Sequence, residues 1–363
     1  MNNSCTPLVN FFDTPQFLTI ALHTNTVLST PIYFFGLYII LTKTPIQMKE
    51  VKWYLVNLHV TIILFDYSIG LLTMPILLLP SFAGYPLGLL RHYGVSTIDQ
   101  TLIVFCLCGF MITAIIVLFE SRFFIVCEFR GKRYWSMIRK KWIAFLYVIV
   151  ILYVLPFKYL CPDQEPAKQR LFKNCLEYRN MQKSKYDFSP SLIRLQRLPC
   201  LPSYIYNAPI LVLVEDITYH LTVIIVWLVV CFNGLIALLI YIYWNTAKLL
   251  KNHRMSPQTY QIHRIFMSAL VIQLVIPFCT LIGPAVAVLT SIITNYYNQG
   301  IINFVILSIT LHGSVTTIAM LIVHKPYRLA VKEMLRKCSF QSTDVSRREM
   351  YANHVARMMS TTQ

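Results

Sequence analysis

The sequence predicts an all-α membrane protein: a bundle of seven spanning helices with a short amphipathic helix after the last. Three observations lead there. Of 363 residues, 56% are hydrophobic and only 13% charged, and the mean hydropathy is +0.57, which leaves too little charge to cover a soluble protein of this size. Seven apolar stretches recur along the chain, most long enough to cross about 30 Å of hydrocarbon as a helix. The basic residues fall in the gaps between those stretches, where they report on topology rather than forming a nucleic-acid-binding domain.

The stretches run from Leu18 to Leu41, Tyr54 to Leu79, Ile98 to Phe119, Trp142 to Phe157, Ile217 to Tyr243, Ile265 to Leu289 and Ile301 to Val323. The fourth is the shortest and is expected to continue to Tyr159. The first lacks the basic leader and small-residue cleavage site of a signal peptide, so it is read as a retained span. This divides the chain into an outer segment 1–17, a bundle 18–323 with a long outer loop 160–216, and a tail 324–363. Pro31, Pro75, Pro156, Pro277 and Pro284 fall within or at the ends of spans, where each removes a backbone hydrogen bond and favours a kink.

Orientation follows from Lys and Arg, which concentrate in cytoplasmic connections. The first, third and fifth connections hold three, seven and four, and the tail eight, whereas the amino terminus and sixth connection hold none and the second holds one. The fourth connection is too long and too mixed in charge to count. The balance is 22 against 1, which puts the amino terminus outside and the tail in the cytoplasm. Most of the net charge of +17 then faces the anionic inner leaflet, making membrane lipid a partner.

Several function classes recede. No zinc-type spacing, phosphate loop, HExxH or GxSxG motif is present, so neither an enzyme nor a metal or cofactor is expected. An odd helix count without internal repeat does not suit paired-repeat carriers. The last span contains no lysine, which a retinal protein would need.

A few residues stand out against this apolar background. Asp66 lies midway through the second span, where an acid costs roughly 2.5 to 3.5 kcal/mol on the insertion scale and should face the bundle interior with partners. It reads as a switch or ion site, or else as a tolerated polar contact, with Asn57 and His59 on neighbouring faces. At the inner end of the third span, Glu120 and Arg122 flank Ser121; Arg122 could meet a G protein or could snorkel to headgroups. His312 lies mid-way along the seventh span and His220 near the outer end of the fifth. Each reads as an interior hydrogen-bonded residue or a ligand contact. After the last span, Val331, Met334, Leu335 and Cys338 follow helical spacing beside Lys332, Arg336 and Lys337, as in a helix lying on the inner leaflet. Outside, Cys5, Cys161, Cys175 and Cys200 allow three disulfide pairings, and Asn2 heads a glycosylation acceptor.

Ordered patches extend these single residues. Lys43-Thr44-Pro45 is followed by Val51-Lys52-Trp53, Asn57-Leu58-His59, Ala83-Gly84-Tyr85 and Phe119-Glu120-Ser121-Arg122. Later come Pro199-Cys200-Leu201-Pro202, Tyr296-Tyr297-Asn298-Gln299, His312-Gly313 and His324-Lys325-Pro326-Tyr327-Arg328. Together they resemble the nematode chemoreceptors called serpentine receptor class H. The resemblance implies a G-protein-coupled receptor of chemosensory neurons, at the plasma membrane of a sensory cilium, with a small-molecule ligand and a heterotrimeric G protein as partners. It adds Tyr327 and Arg328 to the coupling residues. Depth alone nominates Thr101, His220 and Pro284 for the ligand. The chain departs from the broader rhodopsin-like pattern in separating acid from arginine by Ser121 and in having no acid between residues 245 and 264, so the usual ionic lock from Arg122 lacks an obvious partner. The alternative is a seven-helix ligand-gated channel of the insect odorant-receptor kind, but that family is inverted, and the charge count opposes it.

Overall fold

The computed structural model describes residues 10–127, 129–172, 205, 208–214, 216–251, 256–294 and 296–337. Seven long helices form the bundle: α1 Pro15–Lys43, α2 Lys49–Tyr67, α3 Thr97–Val126, α4 Lys132–Val154, α5 Ile217–Lys251, α6 Pro257–Thr294 and α7 Gln299–Val323. Residues 325–337 form an eighth helix, α8. The face where the chain enters α1 is called the entry face and the opposite one, where α8 leaves, the tail face.

Local chemistry sets the starts of α1, α3 and α7 at the entry face. Thr14, Ser96 and Asn298 each accept a hydrogen bond from a backbone amide of the first turn, Phe17, Asp99 and Ile301, at 3.0–3.2 Å. That satisfies donors that a helix end leaves orphaned. At the tail face Gly131 takes a left-handed φ of 88°, which lets the chain turn sharply into α4.

α1 packs against α2 and α7, α2 against α3, α3 against α4 and α5, and α6 lies along α7. The main core therefore sits among α1, α2, α3 and α7, with Leu22, Ile39, Leu55, Ala114, Leu118 and Ile306 at its centre.

The second span differs from expectation. Its helix ends in a π-helical segment Ser68–Thr73, and Pro75 opens a strand instead of kinking a helix. Strand β1, Pro75–Leu78, pairs antiparallel with β2, Ala83–Pro86, and β2 pairs with β3, Leu211–Val212. The bundle is all-helical, and this small sheet at the entry face is its one β addition among the described residues. Gln164, in a short helix at 164–172, extends the sheet with its side chain: Nε2 donates to the Val212 carbonyl at 3.1 Å and Oε1 accepts from the Val212 amide at 2.9 Å.

The other prolines divide. Pro31 sits inside an unbroken α1 and Pro277 and Pro284 inside α6. Pro156 instead starts a separate turn, Pro156–Tyr159, which carries the fourth span to the length expected.

Candidate functional site

The costly acid of the second span is met from two other helices. The Asp66 carboxylate accepts a hydrogen bond from the Tyr33 hydroxyl of α1 through Oδ2. Its Oδ1 stands 3.5 Å from His312 Nδ1 of α7. That nitrogen is also 3.2 Å from the Ile309 carbonyl, so a proton on Nδ1 has two acceptors within reach. All three side chains are buried. The glycine after His312 belongs to the same arrangement, because a methyl group at Gly313 would collide with Asp66 Oδ2. His59 completes the layer by placing Nε2 2.9 Å from the Tyr33 carbonyl, while Asn57 turns away to donate to the Tyr147 hydroxyl of α4 at 2.6 Å. Asp66, His59 and His312 thus fasten α1, α2 and α7 at mid-membrane.

A second layer lies at the tail face. Glu120 of α3 does not serve Arg122. It pairs with Arg139 of α4, whose Nε donates to Oε1 at 2.9 Å and Oε2 at 2.8 Å, and Trp135 Nε1 donates to Oε1 at 2.8 Å. The Arg139 guanidinium also rests over the Phe124 ring at 4.8 Å. Arg122, buried in the same layer, interacts electrostatically with Tyr327 and His324 where α7 passes into α8, and with Glu50 of α2. Tyr327 is fully buried and its hydroxyl lies 3.0 Å from Thr44 Oγ1 at the end of α1. Burial pushes its phenol up, partly offset by Thr44 and Arg122. Burial, and then the Arg122 charge, hold the His324 imidazole down at about 4, so it is neutral near pH 7. Arg328 points elsewhere, with Nη1 3.3 Å from the Ile322 carbonyl.

The eighth helix forms as its spacing predicts, but its apolar residues divide. Val331 and Met334 pack on the bundle core, whereas Leu335 is exposed. Cys338 lies outside the described residues.

At the entry face the nominated residues are not gathered into one pocket. Thr101 Oγ1 donates to the Thr97 carbonyl of its own helix at 2.8 Å. His220 is buried against Phe157 at a ring distance of 5.1 Å, and Phe157 in turn meets Phe105 of α3 at 5.9 Å. His220 and α3 therefore share Phe157 as a neighbour. Pro284 is buried, with no hydrogen bond or ring contact to either among the described residues. Cys161 Sγ lies 3.4 Å from the Val212 carbonyl; Cys5, Cys175, Cys200 and Asn2 lie outside the described residues.

Sequence reasoning missed three participants: Tyr33, Arg139 and a cleft. The cleft, of about 600 Å³, opens between the tail-side halves of α5 and α6, where Tyr243 and Arg264 face it. No cluster able to hold a metal ion occurs among the described residues.

Comparison with known proteins fits this layout. The family model described as the serpentine type seven-transmembrane chemoreceptor Srh matches residues 13–337, from the segment before α1 to the end of α8. The chain belongs to the serpentine receptor class H family. Within the family, serpentine receptor class H-72 of Caenorhabditis elegans is 24% identical over 339 residues, covering 92% of this chain and 90% of that one. The crystal structure of squid rhodopsin superposes with a TM-score of 0.53 at 9% identity, over 93% of this chain and 92% of that one, which establishes the fold. This class H chain is thus a multi-pass seven-transmembrane receptor with a rhodopsin-like fold, and its Glu120 is held by α4 rather than by the neighbouring arginine.

Proposed function

We propose that this receptor detects an environmental small molecule among the outer halves of its helices and passes the change to a heterotrimeric G protein at its tail face. The tail face is cytoplasmic and the amino terminus outside, a reading supported by the 22 to 1 distribution of basic residues. Family membership supports the plasma membrane of a sensory cilium as its location.

One observation carries the reading. Arg122 stands in a layer that joins α1 through Thr44, α2 through Glu50, α3 itself and α8 through Tyr327, while the acid beside it is held by Arg139. A shift of α3 against α8 separates Arg122 from Tyr327 and exposes a cation at the mouth of the bundle. A binding event at the outer end of α3 has such a two-position element to bias, and a ligand acts only through its different affinity for the two positions. Asp66 and His312 link α2 at mid-membrane to α7, the helix that leads into α8, so they resist or permit that shift.

The test expresses the receptor with a tag on each end and measures ligand-evoked nucleotide exchange on G proteins after a screen of volatile and water-soluble odorants. The expected result is an amino-terminal tag reached by antibody in intact cells, a carboxyl-terminal tag reached only after permeabilisation, and an Arg122→Ala variant that keeps its surface level but loses most exchange. Reversed tags would remove the G-protein reading and favour a channel. Undiminished exchange in Arg122→Ala would leave Arg122 as a packing contact between α3 and Tyr327 with no part in coupling.

A further inference from the structure

The cleft between α5 and α6 is polar at one end and apolar at the other. Nearest the tail face it is lined by Tyr243 and Thr246 of α5 and by Tyr260 and Arg264 of α6. Deeper in, its walls are Leu239 and Ile240 on α5 and Val271 and Ile272 on α6. From Tyr260 to Ile272 a helix advances about 18 Å, close to the roughly 15 Å depth of one leaflet's hydrocarbon. The cleft therefore runs from the headgroup level towards the midplane.

Its polar end is marked as an interface by its surroundings. Tyr243 and Trp244 are 70% and 56% exposed, and Lys248 Nζ lies 5.1 Å over the Trp244 ring, an interfacial aromatic beside a snorkelling lysine. Ile240, Val271 and Ile272 are also exposed, so the cleft opens sideways into lipid rather than downwards into water. The charge is one-sided. Residues 245–264 include Lys248, Lys251 and Arg264 and contain no acid, so nothing in that stretch opposes an anion beside Arg264. A volume of about 600 Å³ accommodates part of an acyl chain with the glycerol and phosphate. A protein helix would have to enter from the side, through hydrocarbon, to reach the same walls.

We propose that this cleft is a binding site for a phospholipid of net negative charge, whose anionic headgroup meets Arg264 and whose acyl chain lies between α5 and α6 against Leu239 and Ile272. The tyrosine hydroxyls of Tyr243 and Tyr260 flank the headgroup. On the orientation proposed above the lipid comes from the cytoplasmic leaflet, but binding in a symmetric bilayer is independent of that orientation and of any G protein.

The test purifies the full-length receptor into nanodiscs of mixed phosphatidylcholine and phosphatidylserine and measures, by native mass spectrometry, which lipid stays bound as the disc is stripped. Wild type is expected to retain phosphatidylserine over phosphatidylcholine. Arg264→Gln should lower that preference about fivefold, the contribution of one basic residue near a charged leaflet. Ile272→Trp, which fills the apolar end without touching the charge, should reduce retention of both lipids. Lys332→Gln, a basic residue on α8 away from the cleft, should change neither. A wild type without preference for phosphatidylserine overturns the proposal. So does a preference that survives Arg264→Gln, or one lost equally in Lys332→Gln, which would indicate a diffuse basic belt. Retention of both lipids at the wild-type level in Ile272→Trp overturns the acyl-chain placement. Because nucleotide exchange is not the readout, failure here leaves the receptor reading intact.

Discussion

α7 and α5 are both long apolar helices, yet they sit in the bundle in opposite ways. In the most apolar stretch of α7, 56% of residues are buried inside the protein, against 6% in α5. Among α1, α2, α3, α4 and α7, two carboxylates and one amide are met from another helix: Asp66 by Tyr33 and His312, Glu120 by Arg139 and Trp135, Asn57 by Tyr147, while hydroxyls such as Thr310 and Thr317 of α7 bond back within their own helix. On α5 and α6 three polar side chains, Asn233, Thr246 and Ser268, are met from their own helix. Asn233 donates to the Val229 carbonyl at 2.7 Å, Thr246 to Ile242 at 2.6 Å and Ser268 to Arg264 at 3.0 Å. Hydrocarbon offers no water, so both solutions are adequate. Only the first fixes one helix against another. A bond within a helix travels with it, so α5 and α6 can move as bodies without losing those three bonds, while the Asp66 and Glu120 pairs hold the other helices as the frame. The lipid cleft lies between the two helices that are free in this sense.

The largest effect should come from breaking an interhelical pair in the frame. Arg139→Ala leaves the Glu120 carboxylate, 4% exposed, without its cation, and stranding a buried charge costs about 3 to 5 kcal/mol. Thermal unfolding of the detergent-solubilised receptor should show a large drop for Arg139→Ala, recovered in part when Glu120→Gln is added to remove the stranded charge. Asn233→Ala, which deletes a bond internal to α5, should change stability by no more than about 0.5 kcal/mol. Equal losses in the two variants would break the distinction between frame and mobile helices.

A smaller contrast uses one substitution at two places. Gly313→Ala sets a methyl against the Asp66 carboxylate and should cost about 1 to 3 kcal/mol as overpacking. Gly234→Ala on α5 meets nothing within 4 Å and should leave stability unchanged or slightly raised. Melting curves of the two variants side by side give the answer, and a neutral Gly313→Ala would show that the Asp66 layer has slack.

Much of the frame was legible in the sequence, for reasons that also explain what was not. Hydropathy marks spans because lipid demands long apolar helices, and Asp66 stood out because an acid there must be compensated. The end of the second span was hidden because Met74-Pro75-Ile76-Leu77-Leu78-Leu79 continues the apolar run, and an apolar run alone does not separate helix from strand. What decides is pairing with Ala83–Pro86 and with Leu211–Val212, a tertiary fact. Tyr33 is one of 22 tyrosines, with no local signal to single it out as the Asp66 donor. Arg139 is one of seven basic residues in its connection. Glu120 and Arg122, two apart on α3, were rightly kept from facing each other, but which cation took Glu120 depended on how α4 crosses α3. The cleft was illegible because a lipid-facing cavity is a property of two helices together.

The smallest effect concerns the join between frame and tail, and depends on pH. His324 is 2% exposed and its imidazole is held down at about 4 by burial and the Arg122 charge. Once α8 lifts away, the ring returns to its ordinary value near 6.5. Between those values the undocked state binds the extra proton, so docking weakens as pH falls from about 6.5 towards 4 and is independent of pH above that window. By pH 6 the loss should be on the order of 1 kcal/mol. Hydrogen exchange across residues 325–337, corrected for intrinsic rates, should show protection falling over that window in wild type and staying flat in His324→Gln. Protection that ignores pH in wild type would mean that the docked ring takes up a proton beside Arg122 as readily as the free one, and that α8 is held by the Tyr327 contact with Thr44 and by the packing of Val331 and Met334.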